Sequence, residues 1–342
     1  MIGVGVIGYG YWGPNLVRCL SELGTAQVKA ISDRRPDALA RAGARNPGVR
    51  LCENYLDVLK DLSIDAVAIA TPVETHFELA MAALRTGKHV WLEKPMCRTS
   101  AEAYRLIDEA ERTGLTLLVD HTFIYTPAVR KIAELVAAGA LGQFYYYDST
   151  RVNLGLFRHD TNVIWDLAVH DFSILDHLLA ERPIAISANG ASHVRGTPES
   201  MAFVTIFYGS GTIAHLNVNW LAPVKVRQTL IGGSRKMIVY DDLEPSEKVK
   251  VYDKGVVLSP AREQLYQMMV EYRAGDMWAP HLVVKEALQT EAQHFVDCIE
   301  DKAKPITGGS MGLRVIELME AAVRSMRERG HPTELEALRK AS

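Results

Sequence analysis

The chain has 342 residues, of which 48% are hydrophobic and 23% charged, and its formal net charge is −3. Because a single core usually stops growing near ~250–300 residues, we expect two domains. The charge argues against a nucleic-acid partner. No apolar run approaches the ~20 residues that a membrane-spanning helix needs, so no membrane partner is expected.

Four cysteines lie far apart, at positions 19, 52, 97 and 298, and none belongs to a C-x-x-C pair. That spacing fits neither a disulfide framework nor a zinc site. The apolar N-terminus lacks the basic region and cleavage site of a signal peptide and is interpreted as a strand. We therefore expect free thiols, no bound metal and a reducing, cytoplasmic location.

The first part of the chain alternates short apolar runs with longer amphipathic runs. The apolar runs predict strands at Ile2–Ile7, Val28–Ser32, Ala66–Ala70, Val90–Leu92 and Leu115–Val119. The amphipathic runs predict helices at Asn15–Leu23, Pro36–Ala44, Phe77–Arg85 and Ala101–Arg112. Strands without polar alternation are typical of a sheet buried on both faces, so residues 1–122 predict a parallel, doubly wound α/β domain.

Residues 123–342 are different in character, with longer runs of aromatic and β-branched residues. The predicted strands are Gln143–Asn153, Ile184–Ser192, Met201–Tyr208, Thr212–Trp220, Val224–Ile231 and Lys236–Tyr240. The predicted helices are Pro127–Ala138, Val163–Leu179, Glu286–Ile299 and Met311–Arg327. This pattern indicates an α+β domain with an open, mainly antiparallel sheet. The last helices could belong to this second domain or pack back onto the first domain, and the sequence leaves both arrangements open.

A glycine motif follows the first predicted strand directly. The segment Gly8-Tyr9-Gly10-Tyr11-Trp12-Gly13 matches G-x-G-x-x-G and opens a predicted helix. The first glycine permits a tight turn, the second lets a pyrophosphate approach the backbone, and the third lets helix and strand pack closely. The helix N-terminus offers N–H groups to the phosphates. The first domain is therefore predicted to be a Rossmann domain that binds a nicotinamide dinucleotide.

The end of the second predicted strand bears on the choice of cofactor. Asp33 lies about 20 residues beyond the motif, where a carboxylate accepts hydrogen bonds from the adenosine ribose. Its charge repels a 2′-phosphate and favours NAD. Arg34 and Arg35 follow at once, and arginines nearby can accommodate that phosphate, so NADP stays open.

Two further segments follow predicted strands of the first domain. Thr71-Pro72 follows the strand at Ala66–Ala70, and Glu93-Lys94-Pro95 follows the strand at Val90–Leu92. Ligands of open parallel sheets bind outside the carboxyl ends of the strands, so both segments are predicted to meet the cofactor. His76 begins a predicted helix in the same region, or lies only in its first turn.

The second domain contains a candidate acid–base pair. Asp166 and His170 are four residues apart, a spacing that places them on one face of a helix. A histidine can carry a proton near neutral pH, and a carboxylate can orient it. The alternative is a structural pair on a helix surface. Arg151, Asn153 and Arg158 bracket a further predicted ligand loop.

The ordered set of these motifs resembles the glucose–fructose oxidoreductase/inositol dehydrogenase/MocA-type (Gfo/Idh/MocA) family over nearly the whole chain. The landmarks are Gly8–Gly13, Ala70-Thr71-Pro72 with His76, Glu93-Lys94-Pro95, and the pair Asp166 and His170. The stretch from Arg151 through Asp166 is similar to the branch that acts on nucleotide-linked sugars, such as 3-dehydrogenases.

The resemblance implies Lys94 and His170 as catalytic residues with Asp166 beside them. It implies cofactor contacts from the glycine motif, the strand ends and Trp165, and substrate contacts from Arg151, Asn153 and Asn162. It also implies a homodimer or homotetramer. The expected reaction is hydride transfer between nicotinamide and a secondary alcohol of a sugar, polyol or nucleotide-linked sugar, with Lys94 or His170 as the base. The alternatives are a dinucleotide-binding regulator without catalysis and a redox-neutral enzyme that uses tightly held NAD.

Overall fold

The structure, a computed structural model, describes residues 1–155, 161–258, 270–273 and 275–335. Contacts divide the chain into two units. Unit 1 contains Met1–Thr126 and Val284–Glu317, and unit 2 contains Pro127–Val283 and the chain from Leu318 onwards. The predicted domain boundary after residue 122 stays a prediction, since the units are defined by contacts and not by independent folding.

Unit 1 contains a sheet of six parallel strands in the order β3-β2-β1-β4-β5-β6. Its strands are β1 Ile2–Ile7, β2 Ala26–Ser32, β3 Arg50–Cys52, β4 Ala66–Ile69, β5 His89–Glu93 and β6 Leu117–Asp120. The chain winds outward from β1 in both directions, which is the doubly wound order of dinucleotide-binding domains. The predicted Rossmann fold is confirmed.

The helices of the described chain are α1 Gly13–Glu22, α2 Pro36–Arg45, α3 Tyr55–Leu59, α4 His76–Arg85, α5 Ser100–Thr113, α6 Pro127–Ala137, α7 Val169–Leu178, α8 Ala287–Ile299 and α9 Gly309–Arg327. Most of them match the predicted runs, except α3, which was not predicted, and α7, which begins later than predicted. None of these described helices is long and apolar enough to cross a membrane. All four cysteines are free and buried, as expected.

Helix α8 completes the core of unit 1, although it lies far along the chain. Leu288, Phe295 and Val296 are buried in the same apolar cluster as Val4 of β1. The ring of Phe295 lies 5.8 Å from that of Trp91 on β5. An aromatic pair of this kind stabilises the fold beyond its area burial by ~0.5–1.5 kcal/mol.

Unit 2 is built on a nine-stranded sheet in the order β16-β13-β12-β11-β7-β10-β9-β8-β17. The strands of the unit are β7 Phe144–Leu154, β8 Pro183–Ala191, β9 Met201–Tyr208, β10 Ile213–Asn219, β11 Leu221–Gly233, β12 Met237–Asp241, β13 Val249–Tyr252, β14 Gly255–Leu258, β15 Val270–Arg273, β16 Met277–Trp278 and β17 Thr333–Glu334. Only β7 and β10 pair in parallel within this sheet, and β14 pairs with β15 separately. The predicted open, mainly antiparallel sheet is confirmed.

The two faces of the large sheet have different environments. Tyr147 and Ser149 of β7 point into the core beneath α7, whereas Tyr146 and Asp148 are exposed. The period of two is that of strands with one buried face. One face of this sheet is therefore left open to solvent in the single chain.

The helix predicted over Val163–Leu179 is not continuous. Residues Ile164–Ala168 form a π-helical turn, and a regular α-helix begins only at Val169. The predicted helix is present, but its first turn is π-helical and only the rest is α-helical. Single π-turns are rare and occur frequently at functional sites, and this one contains Asp166.

Candidate active site

The glycine motif forms the turn between β1 and α1. Gly8 has a φ of +98°, and a Cβ there would lie 2.4 Å from the carbonyl oxygen of Ala70. A Cβ on Gly13 would lie 2.1 Å from the carbonyl oxygen of Gly8. The first and third glycines are therefore required by the turn itself, before any ligand is considered.

Gly10 differs from both, because a Cβ there would meet nothing nearer than an Nη2 atom of Arg35 at 3.6 Å. The fold does not need a glycine at this position. Helix α1 begins just beyond, with no capping side-chain bond at Trp12 and no acidic residue in its first turn. The open space at Gly10 and the helix N-terminus without a side-chain cap match what a pyrophosphate requires.

The other side chains of the loop divide between core and surface. Tyr9 is 2% exposed, and its hydroxyl accepts a hydrogen bond from Asn46, whereas Tyr11 is 93% exposed. The indole N–H of Trp12 donates to Asp120 over 2.7 Å. Only Tyr11 and Trp12 thus retain side-chain surface that a cofactor can contact, and Tyr9 contributes through its backbone.

Asp33 directly follows β2 and is hydrogen-bonded to the glycine loop. It accepts hydrogen bonds from the backbone N–H of Tyr9 at 2.8 Å and from the guanidinium of Arg35 at 2.9 and 3.0 Å. Burial acts to raise the pKa of Asp33, but the bonds from Arg35 and Tyr9 outweigh it and lower that pKa overall. The carboxylate is therefore charged and aimed at the loop, while Arg34 is exposed.

His76 connects two loops at the carboxyl edge of the sheet. Its Nε2 lies 2.8 Å from the carbonyl oxygen of Thr71, and its Nδ1 lies 2.9 Å from that of Pro95. The side chain is buried, and burial lowers the pKa of His76 although the carbonyl contacts act to raise it. The geometry places His76 behind the Thr71-Pro72 segment, so its direct cofactor contact stays a prediction.

Lys94 follows β5 at this same edge, and its peptide bond to Pro95 is cis. Its side chain is half-buried, and its backbone N–H donates to the carboxylate of Glu93. A partly desolvated lysine beside a strand end can transfer a proton or bind an oxygen, because its ammonium is a compact donor.

His121 is a residue that the sequence analysis missed. It follows β6 and is 1% exposed, and neither ring nitrogen has a hydrogen-bond partner among the residues that the structure describes. Burial, together with the positive charge of Lys94, lowers the pKa of His121 to about 3. A neutral imidazole therefore lies close to the candidate catalytic lysine. Its position directly after a strand of the sheet was the only signal in the sequence.

Asp166 and His170 occupy the junction between the π-turn and α7 in unit 2. Asp166 accepts a hydrogen bond of 3.0 Å from the indole of Trp220, and His170 is half-buried. The side-chain oxygen of Asn162 accepts from the backbone N–H of Trp165, and its amide donates to Glu199. These bonds fix the turn that holds Asp166. Trp220 was not identified from sequence, because it lies 54 residues further along the chain.

Arg151 has surroundings that differ from those of an exposed ligand-binding arginine. It is buried on β7, and its Nε donates to Asp171 over 2.9 Å. This burial counts against a direct substrate contact, which stays a prediction. Asn153 is half-buried. Residues 156–160, which include Arg158 of the predicted ligand loop, lie outside the described residues.

The described residues contain no group of three or more histidine, cysteine, aspartate or glutamate side chains that could hold a metal ion. The glycine loop, the Thr71-Pro72 segment and Lys94 lie at the carboxyl edge of the unit 1 sheet, which is where open parallel sheets bind dinucleotides. Lys94 belongs to this edge, and Asp166 and His170 belong to unit 2.

Comparison with known families agrees with this geometry. Residues 2–121 match an oxidoreductase family with an NAD-binding Rossmann fold, GFO_IDH_MocA, and residues 129–239 match the C-terminal domain of that family. The chain therefore belongs to the Gfo/Idh/MocA family and is an NAD-binding oxidoreductase.

Two named relatives match most of the chain. A myo-inositol 2-dehydrogenase of Thermotoga maritima is 23% identical, with 95% of this chain and 96% of the relative covered. A UDP-N-acetylglucosamine 3-dehydrogenase of Acidithiobacillus ferrooxidans is 25% identical, with 91% and 93% covered.

Solved structures share the fold. The structure of the Acidithiobacillus ferrooxidans enzyme superposes with a TM-score of 0.80 at 24% identity, covering 95% of this chain and 97% of that one. An oxidoreductase from Agrobacterium radiobacter, solved with NAD⁺, L-tartaric acid and magnesium, gives a TM-score of 0.81 at 20% identity over 97% and 98% of the two chains. At this identity the likeness establishes the fold alone.

Proposed function

We propose that the protein catalyses NAD-dependent hydride transfer to or from a secondary alcohol of a sugar, a polyol or a nucleotide-linked sugar. The observation that carries the proposal is the position of Lys94, which directly follows β5 at the carboxyl edge of the sheet, the edge that also carries the open glycine loop. The dehydrogenases named above match over nine-tenths of the chain or more, which supports an alcohol as the substrate.

The chain's own residues would supply orientation and proton transfer. Bound NAD supplies the carbon that exchanges the hydride. Either Lys94 or His170 accepts the hydroxyl proton at its nitrogen, and the other donates a hydrogen bond to the same oxygen. Asp166, held by Trp220, orients His170 or the substrate. General acid–base assistance of this type contributes ~10²–10⁴-fold in rate.

For the substrate, the proposal favours the branch that acts on nucleotide-linked sugars. Its support is the match to the UDP-N-acetylglucosamine 3-dehydrogenase and the similar stretch from Arg151 through Asp166. Asn153 and Asn162 are assigned to substrate hydroxyl groups. Arg151 is assigned to the support of the sheet beneath them, because its guanidinium is paired with Asp171.

For assembly, the proposal is a homodimer or homotetramer that pairs through the open face of the large sheet. Large hydrophobic side chains on that face are exposed in the single chain, among them Phe203 at 41%, Ile213 at 45% and Tyr146 at 37%. Contiguous exposed apolar surface of this kind marks protein interfaces. Light scattering during gel filtration tests this, and a monomer at micromolar concentration would contradict it. The cytoplasmic location is proposed with it.

The activity is tested by adding NAD⁺ to the purified protein with free polyols, free sugars and nucleotide sugars, and measuring NADH formation. We expect turnover with one of these classes and none with the Lys94→Ala variant, which should still bind NAD. NAD binding without turnover of any alcohol would favour the regulator. Conversion of a sugar without net NADH formation would favour the redox-neutral enzyme.

A further inference from the structure

Glu291 is a buried acid that the reaction described above does not use. It lies on α8 with 0% exposure, and within the described part of the chain neither of its carboxyl oxygens accepts a hydrogen bond of ordinary geometry. Among the described residues no lysine or arginine forms an ion pair with it. An isolated ionised carboxylate in such a place would be very costly.

The groups that face Glu291 are mostly acids. Asp120 faces it from β6 and Glu93 from β5, and these two are register partners across the sheet. The phenol of Tyr125 faces it from the turn after β6, and the indole of Trp91 lies nearby on β5. The charges of Asp120 and Glu93 therefore disfavour a charge on Glu291, and only the indole of Trp91 acts the other way.

Burial is the main effect, and repulsion by Asp120 and Glu93 adds to it, so the pKa of Glu291 is raised well above its usual range. A carboxylic acid that keeps its proton has one O–H to donate. Asp120 is the acceptor that faces it. Two carboxyl groups that share one proton are the ordinary outcome when like charges are buried together.

Asp120 connects this pair to the glycine loop. Its Oδ2 accepts from the indole N–H of Trp12 at 2.7 Å, and its Oδ1 accepts from the hydroxyl of Thr122 at 2.5 Å. Trp12 is the N-cap residue of α1 and belongs to the glycine loop. The orientation of that loop thus depends on where the carboxylate of Asp120 is held.

We propose that Glu291 is a neutral acid that donates its proton to Asp120, and that this pair positions Trp12 and the glycine loop for NAD. Glu291 is then a positioning residue of the cofactor site. The inference rests on NAD binding and not on the proposed alcohol substrate, so it can fail or hold independently of the latter.

The proton on Glu291 is tested by infrared spectroscopy of the full-length protein at neutral pH. We expect the wild-type spectrum to contain a protonated-carboxyl band that the Glu291→Gln variant lacks. Glu300→Gln, the same change at the solvent-facing end of α8, should leave that band in place. Loss of carboxylate bands instead, in the Glu291→Gln variant, would show that Glu291 is ionised and would overturn the proposal.

The positioning role is tested by calorimetric titration of NAD. Glu291→Gln keeps a donor towards Asp120 and should bind within about twofold of wild type, whereas Glu291→Met, of similar size but without a donor, should bind about tenfold more weakly. If the effect runs through Trp12, the Trp12→Phe/Glu291→Met double variant should bind no more weakly than Trp12→Phe alone. Wild-type affinity in the Met variant, or simple additivity in the double variant, would refute the role.

Discussion

The two units hold their fully buried carboxyl groups in opposite ways. In unit 2, Asp171 is 0% exposed and accepts hydrogen bonds from Arg151 at 2.9 Å, Ser149 at 2.7 Å and Tyr147 at 3.0 Å. In unit 1, Glu291 is equally buried but faces other acids and no cation among the described residues.

The comparison shows that the role of a charged residue depends more on the groups around it than on its residue type. Arg151 has the residue type of a phosphate ligand, yet its guanidinium neutralises a carboxylate beneath a sheet. Glu291 has the residue type of a surface acid, yet it is buried against Asp120, which holds the cofactor loop. A satisfied buried charge indicates architecture, and an unsatisfied one indicates a special protonation state or a ligand.

The largest expected effect is on catalysis. If His170 of unit 2 had a structural role, as Arg151 has, turnover would not depend on it. We expect Lys94→Ala and His170→Ala each to lower kcat by ~10²–10⁴-fold while NAD affinity changes only a few-fold. Their effects should not add, because the proposed mechanism has both groups act on one oxygen. Steady-state turnover of the singles and the double decides this, with Asp166→Asn as the milder variant. A near-normal kcat without His170 would make the pair with Asp166 structural.

Breaking the ion pair of unit 2 should have the next largest effect. Arg151→Leu leaves Asp171 buried without its cation, and we expect a loss of ~3–5 kcal/mol in the free energy of unfolding. The Arg151→Leu/Asp171→Leu double variant should recover most of that loss. Urea denaturation measures both. If the single and double variants are equally unstable, packing rather than charge is what Arg151 supplies.

In unit 1, the glycine loop allows a similar test, because Gly13 is required by the fold and Gly10 is expected to be required by the bound cofactor. Gly10→Val should weaken NAD binding by ~1–3 kcal/mol, because the added methyl groups occupy the pyrophosphate space, and it should leave stability unchanged. Gly13→Val is the matched control and should destabilise the fold, since a Cβ there meets backbone. Calorimetric titration measures the NAD affinity of both variants, and thermal unfolding measures their stability. An unstable Gly10 variant would show that the turn needs this glycine as well.

The pH dependence of stability sharpens the contrast between the two carboxyl groups. The raised pKa of Glu291 means that the folded state holds a proton that the unfolded chain releases above the ordinary glutamate pKa of ~4.3. Its contribution is complete below that value and is lost as pH rises towards the folded pKa. Relative to Glu291→Gln, the wild type should lose ~1.4 kcal/mol per pH unit in this window. If the urea midpoints of the wild type and of Glu291→Gln differ by the same amount at every pH from acid to neutral, the prediction is contradicted.

The smallest expected effect concerns cofactor choice. Asp33→Ala removes the charge that repels a 2′-phosphate and frees Arg35 from its bonds to the carboxylate. The ratio of kcat/KM for NADP to that for NAD should rise by about tenfold, of the order of one strong charged hydrogen bond. Adding Arg35→Ala should reverse the gain, whereas adding Arg34→Ala should not. An unchanged kcat/KM ratio in Asp33→Ala would show that Asp33 does not contact the adenosine ribose.

Most of the fold could be predicted because its elements are long or strongly periodic. The strand at Met201–Tyr208 has the bounds predicted for it. The three-residue β3 at Arg50–Cys52 is too short to show a period. The π-turn at Ile164–Ala168 was missed because its apolar spacing also fits an α-helix.

The site could be predicted only where its chemistry is local in sequence. The glycine motif and Asp33 are linked by the regular geometry of one strand–helix–strand unit. The partner of Asp166 lies at Trp220, and the partner of Trp12 lies at Asp120, 108 residues away. Such pairs depend on tertiary packing, which no window of sequence contains. The same holds for the burial of His121 beside Lys94.

The contribution of α8 to the core of unit 1 has a consequence for synthesis on the ribosome. The β-strands of unit 1 are complete once Asp120 has been translated, yet the apolar surface around Trp91 and Val4 is covered only when Phe295 has emerged. The nascent chain must therefore carry an unfinished first domain while all of β7 to β16 is made. Because exposed apolar surface favours aggregation during such a delay, this half of the protein is the part that chaperones would have to protect.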